Sequence, residues 1–461
     1  MTDVAVTQSA IETLRAAVAG PVLTPDQDGY AAEVTGFEMV VEHAPAIAVG
    51  ATDAGDVVAT VRAAAATGIP ITVVGLGHAA IPAVTNGILL NTSRITEVAL
   101  DPIERTARVG AGASWHDVMA AATPVGLAPL CGSAPGVGVA GYLLGGGLGP
   151  IGRTVGFSSD YVRSFDIVCA DGELRTVSAE RDPDLFWALR GGKGNFGAVT
   201  ALEIALFPVS RLYGGSIYFP GERMSEVLRA WTAWHPTTPE TMISSFAALR
   251  PPSQPEIPEP LRGVFSVALR IAYTGTAEDG KRMIAPLRAA APAVLDTVAD
   301  MPYTAAASIH DEPIEPLPYY ERSIMLRGFP AEAQDKLVEL VGPESDATMW
   351  ITELRALGGA WDREPAVPNA VATRGLPYVL LGVEVGPLSE EQRLKESIAA
   401  LLDGMAPWQG DRRLVNNLAP EEATDAVAIY GPERYERLAG VKKAYDPTNM
   451  FRLNHNVVPA V

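Results

Sequence analysis

The sequence predicts an α+β fold built from three successive regions, because the pattern of apolar residues changes twice along its 461 residues. Residues 1–210 are rich in Gly, Val and Ala and favour short strands with few long helices. Residues 211–410 alternate longer strands with amphipathic helices, which is typical of an antiparallel sheet covered by helices on one face. Residues 411–461 return to loops and one helix. We expect a first domain, an inserted second domain, and a C-terminal segment that packs back on the first.

The first region contains local signals for individual elements. Met1–Gly20 has helical apolar spacing and lacks the long apolar run of a signal peptide, so we interpret it as an amphipathic helix. Asp53 is a suitable N-cap, and Gly68 a suitable end, for a helix that precedes a buried strand at Ile69–Val74. The Asp-Gly pair at 171–172 is a turn signal between two strands and predicts a hairpin.

The later regions contain longer elements. Residues 389–405 have the periodicity of a helix, whereas 263–275 and 349–359 have the alternation of strands. A further helix is predicted within residues 430–447. Strands and helices that follow one another in this way support the prediction of one sheet with a helical layer.

Composition and charge restrict the possible partners. The formal net charge is -19, which opposes binding to nucleic-acid phosphates or to an anionic membrane surface. No run of 18 apolar residues predicts a membrane span. The two cysteines, Cys131 and Cys169, form neither a disulfide framework nor a metal-ligand pattern. We therefore expect a cytoplasmic protein with no nucleic-acid, membrane or metal partner.

Two segments match the G-x-G-x-x-G pattern, at residues 147–152 and 192–197. A Rossmann dinucleotide site requires this pattern between a strand and a helix. The residues after the first match are too few and too β-branched for such a helix, and those after the second alternate as a strand. Neither match therefore predicts a nicotinamide site. The glycines of residues 132–152 are interleaved with Val, Tyr and Leu, which favours a loop packed against a cofactor over a flexible linker.

Four motifs occur in an order that resembles one flavoprotein family. They are VVGLGH at 73–78, GVGVAGYLLGGGLG at 136–149, FWALRGGKGNFGAVTALEIALFP at 186–208, and YGPERYERLAGVKKAYDPTNMFRLNHNVVP at 430–459. Together they are similar to the berberine-bridge-enzyme-like branch of the vanillyl-alcohol-oxidase, or p-cresol-methylhydroxylase-type (PCMH-type), flavoproteins. In the middle region the resemblance is confined to ELRALGGA at 353–360.

The resemblance implies a PCMH-type FAD-binding domain at 1–210, a substrate-binding domain at 211–410, and a segment at 411–461 that returns to the FAD domain. It also implies a covalent bond between His78 and the flavin 8α-methyl carbon, for which neutral imidazole is a suitable nucleophile near pH 7. The loops at 75–77 and 133–141 would line the FAD pyrophosphate. The loop at 192–199 would lie nearer the adenosine half of FAD. The matched FAD-binding positions are Gly75, Gly77, His78, Ser133, Gly136, Gly138, Val139, Gly141, Tyr142, Gly192, Asn195, Gly197, Val199, Asn454 and Asn456.

The sequence also departs from the family pattern at three positions. Many members carry a cysteine bonded to flavin C6, where this chain has Ala134, and Cys131 is three residues out of register. We therefore expect no cysteinyl link. Tyrosines found in some carbohydrate-oxidising relatives are replaced by Leu148 and Leu414, so a tyrosine base of that kind is not predicted.

Three residues are candidates for catalysis. Glu353, which shares a strand face with Arg355, is the predicted base, and we expect burial beside a flavin to raise the pKa of its carboxyl. Tyr142 is the competing base, because the matched position abuts the flavin ring, and Asn416 matches a late Val-Asn motif. Three alternatives remain open for Arg355: it pulls the pKa of Glu353 back down, it orients an anionic substrate, or it forms a surface pair with Glu353. Further expectations are a role for Val139 in oxygen access, and pocket positions for His310 and Arg327.

The resemblance implies two-electron oxidation of a small organic substrate, with O2 as the acceptor and H2O2 as a product. Family members with a single histidyl link tailor secondary metabolites by oxidation, oxygenation or oxidative cyclisation. A carbohydrate or alcohol oxidase or dehydrogenase is the alternative. A non-redox cyclase or binding protein on the same fold is a second alternative from a different class.

Overall fold

A computed structural model describes residues 8–79 and 81–461 of the chain. The predicted N-terminal helix is present from Gln8, and Met1–Thr7 lie outside the described residues. The first sheet has four strands in the order β1-β2-β4-β3, with the last three parallel. The bounds are α1 (Gln8–Ala17), β1 (Val22–Leu23), α2 (Tyr30–Val34), β2 (Ile47–Gly50), α3 (Ala54–Thr67), β3 (Ile71–Val74) and β4 (Ile88–Asn91).

Local signals explain how these elements begin and end. The Asp53 side chain accepts a hydrogen bond from the Asp56 backbone N–H, and Gly68 closes α3 in the left-handed conformation. The strand that follows starts at Ile71 rather than Ile69, because Pro70 has no N–H to donate to a neighbouring strand. The Ile71 N–H instead donates to the Met450 carbonyl at 3.1 Å, so the end of the chain packs on β3.

The second sheet is antiparallel, with five strands in the order β5-β6-β9-β7-β8. The predicted hairpin at 171–172 is confirmed as the β7–β8 turn, with Gly172 at φ +74°. The strand after the second glycine match is also confirmed as β9, whereas the first match leads only into a single-turn helix, α6. The bounds are β5 (Val98–Asp101), β6 (Thr106–Gly110), α4 (Trp115–Ala122), α5 (Val139–Leu144), α6 (Gly152–Val155), β7 (Val162–Val168), β8 (Leu174–Ser178), α7 (Pro183–Leu189) and β9 (Ala198–Ala205).

The third sheet is built from the middle region and is antiparallel throughout. Its strands run in the order β13-β10-β12-β11-β16-β17-β15, with β14 paired to β10. The bounds are β10 (Arg211–Pro220), α8 (Met224–Trp234), β11 (Met242–Leu249), β12 (Ser266–Tyr273), α9 (Ala277–Arg288), β13 (Leu295–Asp296), β14 (Ala299–Pro302), β15 (Tyr319–Leu326), α10 (Ala331–Val341), β16 (Ile351–Ala356), β17 (Tyr378–Val385) and α11 (Glu391–Met405).

Alternation along these strands separates a helical side from a second side. Leu354 on β16 and Tyr320 on β15 point into the core shared with α8–α11. Their neighbours Glu353 and Glu321 therefore point to the opposite face, where they line a cavity. The α+β prediction, with helices covering one face of an antiparallel sheet, is confirmed.

The C-terminal residues form two helices and an irregular tail, α12 (Ala426–Tyr430) and α13 (Pro432–Tyr445). Phe451 packs in the core beneath the first sheet, and Val457 in the core of the second. Lys442 and Asp446 form a fully buried ion pair at 2.8 Å that fixes this tail. None of the helices within residues 8–79 and 81–461 has the length and hydropathy that crossing a bilayer requires.

Candidate active site

One cavity of about 390 Å³ lies between the loops of the first region and the exposed face of the third sheet. This volume is in the range of small-molecule and cofactor sites. Three groups of residues form its walls: the loop after β3, the segment that leads into α5, and the cavity-facing residues of β15, β16 and β17. Residues from the segments 36–38, 193–199 and 312–317, the 415–417 turn and the 454–455 tail also line it. The first and last regions thus meet the middle region at this cavity.

The loop after β3 presents free backbone donors to the cavity. The carbonyls of Leu76 and Gly77 accept hydrogen bonds from the N–H groups of Phe37 and Glu38, at 3.0 and 2.9 Å. Within the described parts of the chain, no oxygen accepts from the backbone N–H groups of Leu76, Gly77 or His78. A loop anchored through its carbonyls with its N–H groups free is a suitable cradle for a phosphate anion.

Other walls of the cavity also have the shape and donors that FAD requires. A Cβ atom at Gly141 or Gly194 would meet no atom within 4 Å and would extend into the cavity. The buried Oδ1 atom of Asn454 has no hydrogen-bond partner in the part of the chain that the structure describes. A glycine-walled cavity with free N–H groups and an unpaired acceptor fits a large polar cofactor such as FAD.

His78 is held in one orientation at the edge of this cavity. Its ring stacks on Phe37 with centroids 3.9 Å apart and planes at 13°. Its Nε2 lies 3.0 Å from the carbonyl oxygen of Gly136. A carbonyl can only accept, so Nε2 carries the hydrogen and Nδ1 keeps its lone pair. Burial lowers the pKa of His78 to about 4, so the ring is neutral at pH 7.

The structure brings most of the predicted FAD-binding residues to the cavity. Gly136 contributes the carbonyl that holds His78, although it does not line the cavity itself. Neither Gly192 nor Asn456 lines the cavity. The predicted residues that line it are Gly75, Gly77, His78, Ser133, Gly138, Gly141, Tyr142, Val199, Gly197 and Asn454.

Two of the predicted FAD-binding residues point away from the cavity. Val139 begins the short helix α5 and is fully buried in the core, so the expected role in oxygen access has no structural support. The sequence suggested a loop here, but helix formation turns this side chain inward. Asn195 is also fully buried and bonds to backbone groups of Gly192, His455 and Val457. Its side chain holds the C-terminal tail in place.

The two positions related to a cysteinyl link lie in different surroundings. Ala134 lines the cavity, whereas Cys131 is buried in the core with its sulfur 3.4 Å from the Tyr303 hydroxyl. Burial raises the pKa of Cys131 to about 11, which keeps the thiol protonated. Its position and its chemistry both disfavour attack on a flavin.

Glu353 lies on the cavity wall at the centre of an ion-pair cluster, and its surroundings correct the expected pKa. Its carboxylate is 3.0 Å from Arg270 and 2.9 Å from Arg355. The Ser245 hydroxyl donates to it at 2.5 Å, and His310 lies 3.4 Å away. Burial alone favours the neutral acid, but the arginines and His310 hold its pKa well below the ordinary value. The predicted base is therefore a poor proton acceptor at pH 7.

Tyr142 is also unsuited to the role of a base. Its ring lies close to Gly132 and Gly147, where a Cβ atom would be 2.9 and 2.3 Å from it. Its hydroxyl reaches Ser158 at 3.5 Å. Burial raises the pKa of Tyr142, whereas a tyrosine base requires a lowered one.

Sequence reasoning missed Glu321, which lines the cavity together with Glu38, Glu312 and Glu353. It lies on β15, and the Asn417 amide donates a hydrogen bond to its Oε1. Burial raises the pKa of Glu321 to about 7, and Glu312 adds to this effect while Arg355 opposes it. The sequence carries little signal for it, because charged and apolar residues do not alternate along YYERSIML; only the period of two of the strand places Glu321 on the side opposite Tyr320.

Three further predicted residues lie at different places relative to the cavity. Asn416 lines the cavity, where its amide donates to the Tyr142 carbonyl at 3.0 Å. His310 lies behind the cavity, beside Glu353. Arg327 is exposed, donates to the Pro407 carbonyl, and is not a cavity residue, which corrects the expectation for it.

Known proteins resemble this chain in both its sequence and its fold. Residues 45–178 match the family described as FAD binding domain, and residues 415–458 match the family described as Berberine and berberine like. A similar curated relative is (R)-6-hydroxynicotine oxidase of Paenarthrobacter nicotinovorans, 28% identical over 96% of this chain and 97% of that protein. An FAD-dependent monooxygenase of Fusarium proliferatum is 39% identical over 38% of this chain and 35% of its own length.

Solved structures of oxidases have a similar fold over nearly the whole chain. The crystal structure of 6-hydroxy-D-nicotine oxidase from Arthrobacter nicotinovorans matches with a TM-score of 0.81 and 25% identity, covering 96% of this chain and 98% of that one. Xylooligosaccharide oxidase of Myceliophthora thermophila matches with a TM-score of 0.83 and 24% identity, covering 98% of this chain and all of that one. The second likeness concerns the fold alone.

Proposed function

The chain belongs to the berberine-bridge-enzyme-like family of FAD-linked oxidoreductases, and we propose that it is an oxidase with FAD bonded covalently to His78. The substrate is a small organic molecule and O2 is the acceptor. One observation carries this proposal: a single cavity holds both an oriented neutral histidine and a carboxylate able to exchange a proton near pH 7. Bound FAD supplies the two-electron oxidation, and the protein supplies binding and proton transfer.

The proposed link uses Nδ1 of His78. The bond from Nε2 to the Gly136 carbonyl leaves Nδ1 as the nitrogen with an available lone pair, and the Phe37 stack fixes the plane of the ring. Because burial disfavours the imidazolium form, the nucleophilic form predominates at neutral pH. Among the described residues that line the cavity none carries a sulfur atom, and Cys131 is in the core.

We assign the proton acceptor to Glu321. Tyr319, two residues earlier on the same strand face, donates a hydrogen bond to the His78 carbonyl, so this face of β15 is anchored beside the proposed flavin link. Asn417 holds the Glu321 carboxyl from the other side. An acid with a pKa near the working pH is suited to general base catalysis. Asn416 orients neighbouring groups through its bond to the Tyr142 carbonyl.

The remaining walls indicate the class of substrate. Leu148, Leu414, Leu381 and Trp350 line part of the cavity with apolar surface, and Glu38, Arg270, Glu312 and Arg355 add charged groups. The apolar part favours a compact molecule with an apolar body and an ionisable group over an oligosaccharide, which needs hydrogen-bond partners along its whole length. We therefore favour a secondary-metabolite tailoring reaction over the alternative function of a carbohydrate or alcohol oxidase. The relative named 6-hydroxynicotine oxidase supports inclusion of cyclic amines among the first candidates.

We also propose the domain boundaries and the cellular location of the protein. We propose an FAD-binding domain at 1–210, a substrate-binding domain at 211–410, and a C-terminal segment at 411–461 that returns to the first. The boundary near 210 separates β9 from β10, which belong to different sheets. A cytoplasmic location is proposed because the two buried cysteines are free thiols.

Acid precipitation tests the covalent link. The denatured protein should retain its yellow colour, and peptide mass spectrometry should place FAD on His78. The His78→Ala variant should release its FAD on precipitation while still binding it in the native state, because the free N–H groups of the loop remain. Release of free FAD from the wild-type protein would contradict the link.

A screen for H2O2 release tests the activity. Cyclic and benzylic amines, aromatic alcohols and xylobiose are suitable probes, each mixed with enzyme in air and then under anaerobic conditions. An oxidase bleaches its flavin with a substrate in the absence of O2 and regains the colour on exposure to air. A reduced enzyme that stays bleached for minutes in air would indicate a dehydrogenase, and binding without bleaching would favour the non-redox alternative.

A further inference from the structure

Lys193 has a backbone conformation that disfavours its side chain. Its φ is +59°, in the left-handed region that glycine occupies without strain. It stands in the glycine-rich loop between Gly192 and Gly194, so a glycine at 193 would continue that pattern and remove the strain. A strained residue in a cofactor cavity points to a role for the side chain itself.

The Lys193 side chain crosses to the opposite wall of the cavity. Its ammonium donates to the Gly141 carbonyl at 3.3 Å and to the Asn416 Oδ1 atom at 2.5 Å. Both partners are neutral oxygens. One lysine therefore connects the glycine loop, the helix α5 and the 415–417 turn, all of which line the cavity.

The ammonium lacks a compensating negative charge. No carboxylate within residues 8–79 and 81–461 forms an ion pair with it. Removal from water lowers the pKa of Lys193 to about 8. An unpaired cation inside a cavity is costly unless a ligand brings the missing charge.

The sequence resemblance implies that the 192–197 loop lies near the adenosine half of FAD, but the Lys193 ammonium reaches away from that loop to Gly141 and Asn416. Its position relative to His78 therefore indicates which part of FAD it meets. The His78 ring bonds to the Gly136 carbonyl and the Lys193 ammonium to the Gly141 carbonyl, at the two ends of one short stretch of chain. A flavin bonded to His78 at its dimethylbenzene end extends its pyrimidine edge away from that residue. We propose that Lys193 faces the pyrimidine edge of the flavin and favours the negative charge that reduction places there.

This role follows from the charge balance of the reaction. Uptake of two electrons and one proton leaves the reduced flavin with one negative charge, delocalised over N1 and the C2 carbonyl. A nearby ammonium stabilises that charge and makes the flavin easier to reduce. The inference rests on the proposed His78 link for the direction of the ring, but its test requires only bound FAD.

The test measures the two-electron midpoint potential and the affinity for sulfite, which adds to flavin N5 and leaves negative charge at the same edge. The variants are Lys193→Met, which keeps the length of the side chain, Lys193→Gly, which relieves the backbone strain, and Lys193→Arg, which keeps the charge. In Lys193→Met and Lys193→Gly, sulfite should bind about tenfold more weakly. The midpoint potential should fall by about 30 mV, which for a two-electron couple corresponds to the same tenfold change in equilibrium constant. The arginine variant should retain most of both values.

Two results would overturn the inference. Unchanged potential and sulfite affinity in Lys193→Gly would mean that the ammonium does not face the flavin ring. Loss of FAD content with an unchanged potential in the loaded fraction would assign the ammonium to the pyrophosphate instead. Acid precipitation reports the His78 link separately, so failure of the link and failure of the lysine role are distinguished.

Discussion

Glu321 and Glu353 lie on the same face of one sheet, separated by the single strand β17, yet they occupy opposite electrostatic surroundings. Glu353 is surrounded by Arg270, Arg355 and His310, and its pKa is held far below the ordinary value. Glu321 has a neutral amide partner, and burial raises its pKa to about 7. The comparison teaches that burial alone does not make a base, because the neighbouring charges decide the direction of the shift.

The largest expected effect comes from removal of the proposed base. Glu321→Gln keeps the volume and the hydrogen-bonding capacity of the side chain but cannot accept the proton. We expect flavin reduction by a substrate, followed anaerobically in a stopped-flow instrument, to slow by about 10²–10⁴-fold. Wild-type rates in this variant would remove Glu321 from the mechanism and reopen the search for a base.

Glu353→Gln should affect stability more than chemistry. Loss of the carboxylate leaves Arg270 and Arg355 without their buried partner, and breaking such a pair costs about 3–5 kcal/mol. Denaturant unfolding should detect this loss, while flavin reduction in the folded fraction slows much less than in Glu321→Gln. A slower reduction than in Glu321→Gln, with unchanged stability, would reverse the two roles.

The pH dependence of the reaction should follow Glu321. A base works when deprotonated, so the rate of flavin reduction should rise with pH and level off above about pH 7, falling about tenfold per unit well below it. The charged neighbours Glu312, Arg355 and Glu353 move the midpoint without changing the sign, as does Glu38, whose own pKa burial raises to about 7. The Glu321→Gln variant should lose this rise, whereas a retained rise would assign it to another group.

The two carboxylates should also give opposite pH effects on stability. The pKa of Glu321 is higher in the folded protein than in the unfolded chain. Ionising this carboxyl therefore lowers the free energy of unfolding as the pH rises from about 4.5 to 7. The folded pKa of Glu353 lies below its unfolded value, so its contribution is present above that value and lost in acid. Glu321→Gln removes this loss. The free energy of unfolding of the variant minus that of wild type should therefore be larger at pH 8 than at pH 5. Denaturant unfolding at both values measures the difference.

The smallest expected effect is that of Tyr142→Phe. The hydroxyl makes one long bond to Ser158, and the ring, which the substitution keeps, makes the packing contacts. We expect flavin reduction to change by less than about twofold, because the loss is limited to one weak neutral hydrogen bond. A large decrease confined to this variant would return the role of base to the tyrosine.

Sequence reasoning located the FAD half of the site better than the substrate half. His78 and the glycine loops lie in continuous motifs, where local backbone requirements are visible in the residues themselves. Glu321 and Asn417 are neighbours only in the folded chain, and a strand pattern does not reveal which turn it meets. Lys193 and Asn416 are likewise far apart in sequence, so the reach of this lysine across the cavity depends on the tertiary fold.

Two expectations that the structure does not support have a common physical origin. The motif predicts a raised pKa for Glu353, but that pKa depends on Arg270, which is far away in sequence and lies two strands away in the sheet, on β12. The motif also predicts Val139 at the flavin, but helix α5 turns its side chain into the core. Motifs fix the position of the backbone, whereas side-chain direction and electrostatics require the fold.

The loop that carries His78 is held from both sides of the cavity. Backbone groups of Phe37 and Glu38 support it from the first region, and the Tyr319 hydroxyl bonds to the His78 carbonyl from the third sheet. If FAD is attached to His78 as proposed, attachment requires the middle region to be folded, because the loop that positions the imidazole is otherwise held from one side only. The bond, once made, survives later unfolding. Acid-stable flavin in a preparation therefore counts the chains that have completed folding at least once.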